Sequence, residues 1–248
     1  MESKKEQIFL KKILKKVGRA INQYGLIGEG DKILVAVSGG KDSLVLLDTL
    51  LERLKNLPIE YHIEVIHIKN KDIPGISNVE YIEELCHGLN VPFHTESISF
   101  KMDTSEKKFE CFPCSWNRRK AIFKKAEKLG FNKIAFGHHM DDTLQTLLMN
   151  MVDHGEISAI PPKLKMNKGP FDLIRPLILC SSDEIKEYAR IKGIEEAERT
   201  CPYENQSKRK IYGEIISKLS GLHPLARINM FNSMGNIFEE YLPEKPEQ

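Results

Sequence analysis

Several features common in other protein classes are missing from this sequence. No stretch of its 248 residues approaches the roughly 20 consecutive apolar residues of a membrane-spanning helix, and the lysine-rich start, MESKKEQ, carries no secretory apolar core. Both absences predict a cytoplasmic protein with no membrane partner, in which five cysteines are thiols by default. Net charge is only +2, so the total does not announce a nucleic-acid binder. The two commonest nucleotide fingerprints also fail at the one place that invites them. A Walker loop needs Gly-Lys followed by Ser or Thr, but Asp42 follows Lys41, and no GxGxxG occurs in that stretch. There is no internal repeat and no low-complexity tract.

The small net charge hides local concentrations. Lys4, Lys5, Lys11, Lys12, Lys15, Lys16 and Arg19 crowd the first twenty residues. Arg118, Arg119, Lys120, Lys124, Lys125 and Lys128 form a second group, and Lys208, Arg209 and Lys210 a third. Each alone reads as a solvated helix face; such patches can also supply phosphate contacts.

Apolar residues recur at helical spacing over 6–22, which predicts an amphipathic N-terminal helix. Ile33-Leu34-Val35-Ala36-Val37 is an all-apolar run, as in a strand buried on both faces. Helices over 43–55, 78–89, 113–129 and 141–151 then alternate with strands over 61–68, 93–98 and 133–136. This order predicts an α/β fold, doubly wound on a mostly parallel sheet, with the ligand site at the carboxyl ends of the strands. Beyond Pro161 a strand over Phe171–Leu179, a helix over Ser182–Lys192 and a helical tail are expected. The expected division is an N-terminal helix over 1–24, a nucleotide-binding domain over 25–200 and a helical extension over 201–248.

Ser38-Gly39-Gly40-Lys41-Asp42-Ser43 stands where the buried strand passes into a helix. The glycines allow a tight turn that presents N–H groups, Ser38 and Ser43 add hydroxyls, and the helix start adds its positive end. Lys41 contributes a point charge. This is an anion cradle suited to a phosphate chain. Asp42 would repel that chain unless it caps the helix or meets a Mg²⁺ ion. A second acidic group, Asp141 and Asp142, lies in GHHMDDTLQT at the start of a helix whose Leu144, Leu147, Leu148 and Met151 share one face. Helix polarity alone favours acids there; adjacent carboxylates near a triphosphate also suit Mg²⁺. That apolar face predicts packing on the sheet. Adjacent His138 and His139 point apart, so at most one faces the nucleotide.

Cys86 and Cys180 lie within apolar patterns and read as buried small hydrophobes. Cys111 and Cys114 form a CxxC leading into a basic helix, and Cys201 follows 87 residues later. Three thiolates with one open position suit an iron–sulfur cluster with a free iron corner; zinc completed by a histidine stays open. Trp116, the only tryptophan, is either a stacking platform or core.

SGGKDS resembles the signature of the PP-loop ATP pyrophosphatases. That resemblance implies cleavage of ATP between its α and β phosphates, AMP transfer to a substrate oxygen, and adenine lying near His67. The order SGGKDS, then CxxC with CSWNRRKAIF, then GHHxDDxLQT, PPKL, RPL and a late cysteine is similar to that of the tRNA 2-thiocytidine synthetase (TtcA) family over roughly residues 10–210. Met140 stands where that family has arginine, and Glu204 replaces a second late cysteine. The resemblance implies ATP, Mg²⁺ and a [4Fe–4S] cluster held by Cys111, Cys114 and Cys201. It implies catalytic roles for Lys41, Asp42 and those cysteines, nucleotide contacts from residues 38–43, His67, Gly137, His138 and Asp142, and Mg²⁺ on Asp42, Asp141 or Asp142. The expected partners are tRNA and a sulfur donor such as a cysteine desulfurase, with a homodimer left open. The rival expectations are a PP-loop ligase or amidotransferase without a cluster, and a zinc-stabilised RNA-binding module.

Overall fold

A computed structural model of the chain describes residues 3–55, 58–72, 79–99, 111–167, 169–196 and 208–243. They fall into two compact units, Met1–His139 with Pro161–Ser207, and Met140–Ile160 with Lys208–Gln248.

The first unit holds a six-stranded sheet. Its strands are β1 (Lys32–Ala36), β2 (His62–Asn70), β3 (Phe93–Ile98), β4 (Lys133–Ala135), β5 (Lys163–Lys165) and β6 (Asp172–Ile174). Their spatial order is β3-β2-β1-β4-β6-β5, parallel throughout except for the antiparallel β5–β6 pair. Ile33, Leu34 and Val35 are fully buried, as the all-apolar run of β1 requires. Helix α4 (Cys111–Leu129) covers one face, where Ile122 and Ala126 join Leu34, Ile66, Ile68, Ile134 and Leu173 in one core cluster. Helices α1 (Lys4–Tyr24), α2 (Lys41–Leu54) and α6 (Ser182–Lys192) pack on one another. Buried Tyr188 of α6 donates its hydroxyl hydrogen to Asp48 of α2 at 2.6 Å. Helix α3 (Val79–Gly88) packs on β2 and β3.

The ends of α1 and α6 follow from local chemistry. Each opens with a capping box, Ser3 with Glu6 and Ser181 with Glu184, and each closes on a left-handed glycine, Gly25 or Gly193. Glu184 also ties α6 to α1 through Lys16 at 2.7 Å and Lys12 at 3.4 Å. Part of the N-terminal basic cluster is thereby engaged within the fold.

One expectation about the sheet is corrected, and one strand was not foreseen. The strand expected over 171–179 ends at Ile174, because Pro176 has no N–H to extend a ladder. Strand β5, whose sequence is only Lys-Leu-Lys, is too short for its alternation to be read from the sequence.

The second unit is helical: α5 (Met140–His154), α7 (Lys208–Leu222), α8 (Ala226–Ser233) and a single 3₁₀ turn at Glu239–Tyr241. Here α5 packs on α7 and α8, with Leu144, Leu147, Ile216 and Phe231 buried. Its apolar face was expected on the sheet. Periodicity reports that a helix has an apolar face, not which element covers it. Among the described residues no helix is long and apolar enough to cross a membrane.

Asp172 fixes the start of β6 by accepting from Lys133 of β4 at 2.7 Å, while Lys163 of β5 lies 3.3 Å away. Burial raises the Asp172 carboxyl, but the two lysines outweigh it and hold the group below its ordinary 3.8. A carboxyl depressed on folding stabilises above its unfolded pKa and loses that contribution as pH falls through the folded value. Asp172→Asn is therefore predicted to cost about 1 kcal/mol at pH 7 by urea unfolding. The difference from wild type should shrink below pH 3.8. A difference constant down to pH 2 would contradict this account.

Candidate functional site

At the carboxyl end of β1 the chain turns through Val37–Gly40 into α2. Gly39 has φ +86°, a left-handed conformation that favours glycine. Ser43 locks the turn. Its hydroxyl donates to the Gly40 carbonyl at 2.8 Å and accepts from the Ser38 N–H at 3.1 Å. The Ser38 hydroxyl accepts weakly from the Gly40 N–H at 3.4 Å. The N-cap is Gly40 and no side chain caps α2. Its first N–H groups and the helix dipole thus face outward together, which is the electrostatic arrangement of a phosphate site.

The neighbouring strands brace this loop. The Val37 N–H donates to Ile66 of β2 at 2.9 Å. Fully buried His67 lies 2.8 Å, through Nδ1, from the Val37 carbonyl. A carbonyl only accepts, so Nδ1 carries the proton. His67, expected beside the adenine, is thus bonded to the backbone just ahead of the loop. On the other side Gly137 follows β4. A Cβ there would come within 2.9 Å of the Asp42 carbonyl and the Ser43 nitrogen, so only glycine permits this approach.

The charged groups follow from that frame. Lys41 Nζ lies 3.7 Å from Asp42 and 3.6 Å from Glu196. Asp42 Oδ1 is buried without a hydrogen bond, 4.0 Å from His139 Nε2. Of the two histidines, His139 is the buried one, whereas His138 rests against the Phe136 ring at 5.7 Å between centroids. In the second unit Asp141 is buried and accepts from Arg227 Nε at 2.9 Å. Asp142, beside it in the first turn of α5, is half-buried. Among the described residues no three His, Cys, Asp or Glu side chains converge as a metal site.

Cys114 lies in the first turn of α4, and its Sγ is 3.7 Å from Nδ2 of buried Asn70, the last residue of β2. It therefore sits at the end of the strand next to the phosphate loop. Cys111 opens α4, but its side chain and all of Cys201 lie outside the described residues. Cys86 and Cys180 are fully buried, and burial pushes their thiols up to about 11 and about 12. Both stay protonated and inert.

One charge-bearing surface adjoins α4. A groove of about 410 Å³ runs between α4 and the edge strand β3, lined by Lys120, Lys124, Lys125 and Lys128 together with Ser97, Ser99 and Asn117. Lys125 is held by Glu96 at 2.9 Å. Trp116, half exposed, is covered by Lys120 at 4.9 Å from the ring centroid. The tryptophan is a surface group rather than core.

Comparison with known proteins agrees with this geometry. A family model described as a PP-loop domain matches residues 6–214. A tRNA-cytidine(32) 2-sulfurtransferase of Paracidovorax citrulli is 36% identical over 94% of this chain and 76% of its own length. That of Chromohalobacter salexigens is 33% identical over 95% and 84%. This chain belongs to the tRNA-cytidine 2-sulfurtransferase family of PP-loop proteins. Among solved structures, the U34-tRNA thiolase NcsA from Methanococcus maripaludis, which contains a [4Fe–4S] cluster, superposes with a TM-score of 0.78. It is 23% identical, and the match covers 97% of this chain and 82% of that one, so it shares the fold.

Within this sulfurtransferase family member, sequence reasoning missed three residues. His139 could have been found only by choosing between two adjacent histidines. Glu196 carries no motif. Arg175 stood in view within the RPL run but without a role. The Gly137 contact gives a direct test. Gly137→Ala is predicted to weaken binding of a non-hydrolysable ATP analogue about ten- to a hundredfold by calorimetry, the cost of one overpacked methyl at the loop. An unchanged affinity would mean that the loop does not hold the nucleotide.

Proposed function

We propose that the protein is an ATP-dependent tRNA sulfurtransferase that replaces the C2 oxygen of an anticodon-loop cytidine, position 32 in the relatives' name, with sulfur. The carrying observation is the adjacency of two sites: an uncapped anion cradle at the end of β1, and a cysteine of the CxxC at the end of neighbouring β2. The names of the 2-sulfurtransferase relatives supply the base and the atom.

The chemistry needs an oxygen that leaves easily. The cytidine C2 oxygen attacks the α-phosphorus of ATP, the α–β bridge bond breaks, and pyrophosphate departs. Charge growing on the leaving phosphates falls on the α2 N–H groups, the Ser38 hydroxyl and Lys41. Sulfide, released from the persulfide of a donor such as a cysteine desulfurase by a pair of thiols that become a disulfide, then forms a bond to C2. The C2–O bond breaks, and AMP leaves carrying the former cytidine oxygen.

Two bound groups fit the residues present. Asp42, whose Oδ1 is buried without a hydrogen bond, would hold Mg²⁺; such an ion needs only one or two carboxylates beside the phosphates it neutralises. In the second unit, Asp141 is already engaged by Arg227. Cys111, Cys114 and Cys201 would hold a [4Fe–4S] cluster, which when bound offers an iron corner open to sulfide.

A target base in a loop must be splayed out before its C2 can be reached. The groove beside α4 is suited to the flanking strand. Lys120, Lys124 and Lys128 stand one helical turn apart along it, and Trp116 offers a stacking face.

Anaerobic purification tests the cluster: the protein should be brown, and Cys111→Ala, Cys114→Ala and Cys201→Ala should each bleach it and abolish thiolation. Colourless, active variants would favour a ligase that uses another nucleophile. Mass spectrometry of tRNA from a deletion strain tests the substrate, and unchanged 2-thiocytidine would remove it. Lys120→Glu with Lys124→Glu should weaken tRNA binding and flatten its salt dependence by about 0.7–0.9 per lost phosphate contact. An unaltered salt slope would place the RNA elsewhere.

A further inference from the structure

Two motifs, PPKL at 161–164 and RPL at 175–177, have no part in the chemistry above. In the first unit they meet around one side chain. Arg175 follows β6 and is buried, with 7% of its surface exposed. Its backbone N–H donates to the Pro162 carbonyl at 3.0 Å, and its Nη1 donates to the Pro161 carbonyl at 2.6 Å. Its Nε is buried and has no acceptor. Burial, aided by the nearby positive charge of Arg119 from α4, pushes the guanidinium down to about 10, so the group is still a cation at neutral pH. Among the described residues no carboxylate pairs with it.

A buried cation without a counter-charge is costly, and the fold nevertheless holds this one rigidly between two proline-braced turns. A buried donor left without an acceptor calls for a missing partner. Placement indicates which partner. Strands β1, β4 and β6 are consecutive neighbours, and the Phe136 N–H donates to the Ile174 carbonyl just before Arg175. Arg175 therefore stands at the carboxyl ends of the strands, two strand spacings or about 10 Å from the phosphate loop, across Gly137 and His138. Arg119 belongs to the same helix as Cys114, and its charge acts on Arg175. The paired Phe123 of α4 and Phe171 ahead of β6, with ring centroids 5.3 Å apart, hold that helix against this edge.

We propose that Arg175, with Nη1 fixed on Pro161 and its buried Nε lacking an acceptor, is the centre of a second phosphate subsite separate from the 38–43 loop, and that it takes a phosphodiester of the RNA carrying the target base. Arginine grips phosphate through two parallel N–H groups, a geometry lysine lacks. A phosphate held here would fix the backbone beside the flipped nucleotide while the loop holds ATP. The assignment of RNA as the source rests on the sulfurtransferase reading; the phosphate chemistry does not, because an ATP phosphate could fill the same fork.

The test uses full-length protein with ¹⁵N-labelled arginine, in which the Arg175 Nε–H resonance is assigned by its loss in Arg175→Lys. An anticodon stem-loop RNA and a non-hydrolysable ATP analogue are added separately. The resonance should move downfield with the RNA and stay in place with the analogue. Movement with the analogue alone would keep the phosphate subsite but assign it to the nucleotide. No movement with either ligand overturns the proposal and makes Arg175 a strut for Pro161. The affinity of the wild-type protein for the stem-loop, read in the same titration, separately reports whether RNA is a ligand at all. In parallel, Arg175→Gln should raise the tRNA Kd about tenfold and lower the salt slope by about 0.7, with the ATP-analogue affinity unchanged. A purely structural arginine would lower the melting temperature without changing that slope.

Discussion

Everything proposed for this protein depends on the bare amino end of α2. A helix start normally recruits a side chain to satisfy its N–H groups. Here Gly40 occupies the cap position and offers none, and Ser43 turns back to lock the loop instead of covering the helix end. The resulting positive end is held from both sides: His67 bonds to the Val37 backbone, and Gly137 lies against Asp42 and Ser43 with no room for a methyl group. An anion site of this kind is organised before its ligand arrives, which is what electrostatic stabilisation of a leaving pyrophosphate requires.

Around that point the sheet order distributes the other tasks. Strand β2 ends at Asn70 beside Cys114, β4 is followed by Gly137 and the two histidines, and β6 by Arg175. Neighbouring strands thus bring a thiol, a backbone brace and a buried cation to one edge, as the carboxyl side of an open α/β sheet generally does. Helix α4 links several of them, since it carries the CxxC at its start, Arg119 one turn beyond Ser115, and a lysine-lined groove along its length.

Much of this was legible in the sequence, for identifiable reasons. Strand β1 announced itself because both its faces are buried, so every residue is apolar. Helices α1 and α6 carry their own caps. The SGGKDS run read as an anion cradle without any fold, because two glycines, two hydroxyls and a lysine at a strand end have few other uses. What was not legible depends on tertiary partners. Strand β5 exists only through its pairing with β6, and α5 gives no sign in its own residues that helices α7 and α8 will cover it. His139 cannot be told from His138 until the loop places one of them near Asp42. Arg175 reads as one more charged residue until burial removes its water.

The central claim is that the cradle serves to make the cytidine C2 oxygen a leaving group by joining it to AMP. The most direct test is isotopic. A tRNA carrying ¹⁸O at C2 of the target cytidine, incubated with ATP and a sulfide source, should yield AMP with one ¹⁸O in its phosphate, alongside unlabelled pyrophosphate and 2-thiocytidine. Release of ADP, or of AMP without the label, would contradict the account.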